Sequence, residues 1–362
     1  MNIKETLSII SIILLLISCS KDSDIEYDTA FNNQEMLSDI TNQLIIPSII
    51  NLNTSCIELN SSVENYIQNT NENNLIQIQD KWKEAAKNYA KIYAFNIGEA
   101  KDQFFNKKLY NWPTVGNSIE QYIIEQDEII QENIPNLSTK YMTLSGIGYM
   151  LFSSSNLIVN QNFVSSTKRL DYLKYISIFQ KEQSQELLDL WTESGSNYGN
   201  TLIYSSDTNV NSSLNKIYNG VYNVICSVKV TKIGKSAGLE NSSNPNIDEL
   251  QAKYSEYSKE LIIENLKTSK NIFFNEQGFG LSDKISSITG NEELNDLLRL
   301  KFDSTINLLN NFEGSLKNAI TNGNISDLEI IHEQLNEIIT LLVIDVRSTL
   351  SIVITPCDND GD

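Results

Sequence analysis

Histidine is almost absent from this 362-residue sequence, which holds only His332. One imidazole excludes every multi-histidine metal site within a single chain. That includes the di-iron bundle pattern with two Glu-x-x-His pairs. A Ser-His-Asp or Cys-His catalytic unit would have to use His332. Bases are also short, 27 Lys and Arg against 46 Asp and Glu, for a net charge of -19. Phosphate contacts need clustered Lys and Arg, so nucleic acid is excluded as a partner. Cysteine is sparse too: Cys19, Cys56, Cys226 and Cys357 are too widely spaced for a Cys-x-x-Cys zinc site. Cys56 and Cys226 lie in apolar helical stretches and read as inert buried thiols.

The first 18 residues read as a signal peptide. Lys4 supplies the charge, and Leu7 to Ser18 form an apolar run interrupted only by Ser8 and Ser11. That run is too short to span a bilayer, which takes about 20 residues. It ends Leu16-Ile17-Ser18-Cys19, the pattern of a bacterial lipobox, in which Cys19 is acylated and becomes the first mature residue. An ordinary secretory signal is the alternative. Several acyl chains on one cysteine anchor stably, which makes the membrane the first expected partner. Ser20 stands where an Asp would signal inner-membrane retention, so the outer membrane of a Gram-negative cell is expected, on its periplasmic or outer face. Removing residues 1–18 deletes Lys4 and Glu5 and leaves the charge at -19. Three cysteines then remain, enough for at most one intrachain disulfide.

Residues 19–34 form an acidic tether. Beyond it, helical periodicity dominates and strand alternation is almost missing. Helices are expected at 36–66 (interrupted at Pro47), 75–95, 119–130, 140–152 and 170–191, with a Ser/Thr-rich turn at 153–167. After a polar crossover at 192–213 come helices at 214–231, 247–272, 292–320 and 326–350. Ser351 to Thr355 is the one expected strand. The fold class is all-α: two packed helical bundles of about four helices each, at 35–191 and 214–362.

Several short patterns suggest chemistry and fall short of it. Glu329-x-x-His332 is half of a di-iron site with no second half, and His332 reads as a partly exposed helix residue. Glu256, Glu260 and Glu264 form an i, i+4 ladder that reads as a solvated face. The tail Asp358-Asn359-Asp360-Gly361-Asp362 stops before a calcium loop would be complete. Lys232-Ile233-Gly234-Lys235 lacks phosphate-loop spacing and reads as a helix end stopped by glycine, with bases near the negative dipole end.

A family resemblance emerges from landmarks in order along the chain. Trp82-Lys83-Glu84-Ala85-Ala86, Phe95-Asn96-Ile97-Gly98, Asn111-Trp112-Pro113, Lys232 to Lys235, Tyr254-Ser255-x-x-Ser258 and the ending Ile352 to Asp362 together resemble the imelysin-like proteins. The resemblance covers residues 35–362 and implies two packed helical bundles with a cleft. Its diagnostic motif is G-x-H-x-x-E before a Tyr-Leu-Leu-Phe-like run. Here Tyr149-Met150-Leu151-Phe152 matches the run, which places Thr143, Ser145 and Gly148 at the Gly, His and Glu positions. Neither Ser nor Gly replaces an imidazole or a carboxylate, so this copy of the motif is degenerate. Helix packing is the simpler role for Gly146 and Gly148. Trp112, Tyr149, Tyr254, Ser255 and Ser258 are the expected cleft lining.

Signal, resemblance and degenerate motif together imply a cell-envelope lipoprotein that binds rather than catalyses. It would be associated with iron or haem uptake, with an outer-membrane transporter as the implied partner. No catalytic residue, metal ligand or cofactor is assigned; iron, haem and calcium are the ligands to test. The alternative is an imelysin-type metallopeptidase built on a non-standard site, His332 with carboxylates. A structural or adhesive surface role is a third.

Overall fold

Eight long or site-forming helices organise the chain in the computed structural model, which describes residues 31–240 and 244–356. They are α1 (Ile46–Gln68), α2 (Glu72–Ile92), α3 (Leu144–Phe152), α4 (Thr167–Trp191), α5 (Ser213–Cys226), α6 (Ser258–Phe273), α7 (Glu293–Asn311) and α8 (Ser326–Leu341). Shorter helical turns connect them, and no strand occurs among the described residues. The protein is all-α.

Helix α2 shows how the sequence dictates these elements. Asn71 caps it by accepting from the Asn74 amide at 3.0 Å, satisfying a donor that the helix start leaves open. Leu75, Ile78, Trp82, Ala85, Ala86 and Tyr89 then recur on one face and are all buried. Helix α1 packs against α2 and α4. In the second half α6 packs against α5 and α7, and α8 against α5 and α7. The halves meet where α2 runs along α6. There the Asn265 amide donates to the Ala90 carbonyl at 2.7 Å, and Lys87 approaches Glu264 at 3.7 Å. From Asn33 onward the described residues form one compact unit.

Several expectations are corrected. Pro47 does not interrupt its helix: residues Ile40–Ile45 wind as a wider π turn just before it. A wider turn removes the clash that a proline ring makes with the carbonyl one α turn back. The expected Ser/Thr-rich turn contains a helix, Asn156–Val164, and the polar crossover contains another, Tyr198–Tyr204. The 247–272 helix starts only at Ser258, because Glu256 sits at φ +57 in a turn. The carboxylate ladder is therefore broken. Glu256 accepts from Ser315 and Lys317, while Glu264 is buried between Lys87 and Lys267. The 292–320 helix ends at Asn311 and resumes at Leu316 beyond Gly314.

The expected strand at 351–355 has no partner strand among the described residues. Its extended backbone bonds instead to two side chains on α5. Val353 exchanges hydrogen bonds with the Asn215 amide group at 2.8 and 2.9 Å, and the Thr355 amide donates to Asn219 Oδ1 at 2.8 Å. Residues 352–356 are thereby tied down without a ladder.

Cys56 and Cys226 are buried, as expected. Burial pushes the Cys56 thiol up to about 12 against hydrogen bonds with Ser184 and Gln180, so it is unreactive. No helix among the described residues is long and apolar enough to cross a membrane. Cys19 and its lipobox, Cys357 and the acidic tail lie outside the described residues.

Candidate functional site

Thr143, Ser145 and Gly148, the positions the sequence comparison singled out, begin helix α3, and each is taken up by packing. Thr143 precedes the helix; its hydroxyl donates to the Thr139 carbonyl at 2.8 Å and accepts from the Asn111 amide at 3.2 Å. Ser145 is buried and its hydroxyl faces the Asn111 and Lys140 carbonyls, with Thr143 Oγ1 at 3.1 Å. Gly148 lies against the indole of Trp82. A Cβ at Gly148 would sit 2.7 Å from Trp82 Cζ2, inside any normal contact distance. The indole is held there by its own N–H, which donates to the Leu144 carbonyl at 2.7 Å. The small residues at 146 and 148 thus permit close approach, as their sizes suggest.

Tyr149 and Tyr254 do meet, ring edge to ring face at 5.0 Å. The Tyr149 hydroxyl donates to Glu120 Oε1 at 2.8 Å, and Arg169 pairs with the other Glu120 oxygen. Burial pushes the Tyr149 phenol up from its ordinary value, so it stays a neutral donor. Ser255 donates to the Ala252 carbonyl at 3.2 Å, and Ser258 accepts from the Ala252 amide at 3.3 Å. These two serines shape the turn before α6. None of the four belongs to the wall of the molecule's large cleft.

That cleft, about 990 Å3, is open to solvent and lined by Trp112 but by none of the other expected residues. One wall is the end of α2 and the turn after it, with Tyr89, Tyr93 and Asn96. The segment 101–113 brings Lys101, Phe104, Lys107, Tyr110 and Trp112, and Lys140 lies beside it. Opposite is a π-helical stretch, Ser227–Lys235, whose residues Ser227, Thr231 and Lys235 recur every fourth position and face the cleft. Thr355 of the tethered C-terminal segment closes one side. The motif abuts this cleft without opening into it, since Ser145 bonds the backbone of two wall residues, Asn111 and Lys140.

Aromatic contacts run from the core to the wall. Trp82 meets Tyr110 at 6.4 Å, Tyr110 meets Trp112 at 6.1 Å, and Trp112 meets Tyr93 at 6.4 Å. Behind Tyr93 and Trp112 lies a group that the sequence pattern concealed. Lys232 is 1% exposed. Its ammonium donates to Asn265 Oδ1 at 2.5 Å and sits 4.8 Å from the Tyr93 ring and 5.3 Å from the Trp112 ring. Burial pulls the amine down to about 7, while the two ring faces favour the ammonium form. The Lys232-to-Lys235 segment is therefore not a helix end stopped by Gly234. The helix runs on to Ala237, and Gly238 at φ +73 ends it.

His332 lies on α8, away from the cleft. Its Nε2 is 2.7 Å from Glu240 Oε1, which Lys229 also reaches at 3.0 Å. Burial raises the Glu240 carboxyl, but the hydrogen bonds from His332 and Lys229 outweigh it and hold the group below its ordinary value. Among the described residues no three His, Cys, Asp or Glu side chains gather as a metal site. The donor set a family metal would need does not fit: the motif offers a hydroxyl turned to backbone and a glycine against an indole.

An all-α chain in which two groups of helices flank an aromatic, lysine-bearing cleft defines the class. The chain belongs to the imelysin family, peptidase family M75, whose profile matches residues 45–342. Its fold is similar to that of an imelysin-like protein from Psychrobacter arcticum 273-4, with a TM-score of 0.73 and 17% identity over 89% of this chain and 97% of that one. It is also similar to a Parabacteroides distasonis ATCC 8503 protein provisionally described as an iron-regulated protein A precursor. That match has a TM-score of 0.70 and 19% identity over 87% of this chain and 94% of the other. At such identities the likeness speaks to the fold. No curated protein matches.

Proposed function

We propose that this chain is a cell-envelope lipoprotein that binds a ligand of iron or haem uptake and does not hydrolyse peptides. The observation that carries the reading is the Trp82 indole seated against Gly148. No side chain can leave position 148 toward a metal while that indole is in place. Ser145, at the histidine position, spends its hydroxyl on backbone carbonyls. The large cleft remains, and concave sites of several hundred Å3 are where small ligands bind.

The envelope location rests on the lipobox ending at Cys19 and the acidic tether behind it. The iron assignment rests on family membership and on the name carried by the Parabacteroides relative. An outer-membrane transporter is the fitting partner for such a tethered binder. The peptidase alternative draws no support from His332, whose Nε2 is engaged by a carboxylate that also holds Lys229.

Saturation binding to the full chain tests the reading, with ferric ion, ferrous ion, haem and ferric siderophores as ligands. Saturable binding of one of them is expected; failure with all four removes the iron and haem assignment. Labelling of the expressed protein with radioactive palmitate, abolished in Cys19→Ala, is the expected result for the anchor.

A further inference from the structure

The cleft's chemistry narrows what it accepts. In a chain of charge -19 its wall gathers four lysines, Lys101, Lys107, Lys140 and Lys235, against two carboxylates, Asp102 and Glu249. Among the described residues no ion pair or hydrogen bond engages the Lys107 and Lys140 ammonium groups, which offer an anion two cations in an otherwise acidic molecule. Aromatic faces stand beside these bases. Phe104 is 60% exposed and held at φ +59, ψ +35, a left-handed conformation that a bulky side chain rarely adopts. Burial does not account for placing a phenyl ring in water on a strained backbone, and such strain clusters at ligand clamps.

We propose that the cleft takes a planar aromatic anion, its ring system against Phe104 and Trp112 and its acidic groups on Lys107 and Lys140. This ligand class rests on the proposed binding function and makes it specific. Stacking suits a flat π system, and ammonium groups suit carboxylates or phenolates. Two sources share this chemistry, a porphyrin with carboxylate arms and a catecholate iron chelator. A volume of about 990 Å3 admits either.

Isothermal titration calorimetry of the purified full chain tests the proposal. The probes are metal-free protoporphyrin IX, its dimethyl ester, 2,3-dihydroxybenzoate (the planar catechol acid of iron chelators) and citrate. Binding of the porphyrin diacid or of 2,3-dihydroxybenzoate is expected, and whichever of the two binds identifies the source. The neutral diester and the non-aromatic citrate bind at least about tenfold more weakly. The double variant Lys107→Glu/Lys140→Glu loses about tenfold or more in affinity, more so at low salt. Phe104→Gly loses affinity while its thermal midpoint stays level or rises, because glycine accepts the left-handed backbone. Equal binding of acid and diester, equal binding of citrate, or unchanged affinity in both variants overturns the proposal. If neither aromatic anion binds while another iron ligand saturates the chain, this ligand class is wrong and the binding function stands. If the aromatic anion binds and the chain also cleaves peptides, the ligand class stands and the non-catalytic reading fails.

Discussion

At the scale of single residues, Gly148 and Trp82 form one feature. The glycine leaves room for an indole whose N–H is anchored on Leu144, so the space beside position 148 is filled by core. Placing an acid there is therefore predicted to damage the fold rather than build a site. Gly148→Glu should lose about 3 kcal/mol or more of stability in urea unfolding, from overpacking and a buried charge. Unchanged stability would show that the indole moves aside easily. Lys232 makes a second prediction. Its folded value of about 7 lies below its ordinary 10.5, so the unfolded chain holds more protons between those pH values. Stability should then rise with pH across that window. Lys232→Met removes this slope: relative to the parent, the variant gains stability as pH falls from 10 to 7. Parallel melting curves at all pH values would contradict it. Close packing at Gly148 was legible in the sequence, since a glycine inside a helix lets a neighbouring side chain approach. The burial of Lys232 was not. A lysine next to a glycine at a helix end looks like a cap, and only the fold brings Asn265, Tyr93 and Trp112 around it.

At the scale of elements, periodicity disclosed the long helices because each buries one continuous stripe. Deviations arise where a local conformation overrides the stripe: the π turn before Pro47, Glu256 at positive φ, and Phe104 at the cleft rim. Apolar spacing contains no trace of those backbone choices. The C-terminal segment shows the same limit, its β-branched run reading as a strand although its partners are Asn215 and Asn219, one turn apart on α5. Asn219→Ala should cost about 1–3 kcal/mol, a lost hydrogen bond with a buried group left unsatisfied. It should also speed hydrogen exchange of the Thr355 amide while α5 stays protected. Loss of protection along α5 itself would mean the asparagine supports the helix and not the segment. The junction of Glu240 with His332 and Lys229 has an acid limit. Its carboxyl lies below 4.5 in the folded chain, so its contribution is complete above that pH and fades as pH falls below it. Glu240→Gln should flatten the loss of stability on the acid side, read as thermal midpoints from pH 6 to pH 3.

At the scale of the whole molecule, an acidic surface surrounds a lysine-bearing, aromatic cleft, and a sealed motif lies behind its wall. Composition announced the acidity and the family order announced the architecture. The cleft was half legible. Trp112 came from a family landmark, whereas Tyr149, Tyr254, Ser255 and Ser258 support the turns and contacts beside it. Phe104, Lys107 and Lys140 come from a connecting segment and a short helix whose convergence no local pattern encodes. Binding without hydrolysis is the account's central claim, and a peptide-cleavage assay tests it most directly. The full chain is incubated with zinc and a defined peptide mixture, with and without chelator, and new termini are counted by mass spectrometry. No chelator-sensitive cleavage is predicted. Chelator-sensitive new termini that vanish in His332→Ala would contradict the account and make this chain a metallopeptidase after all.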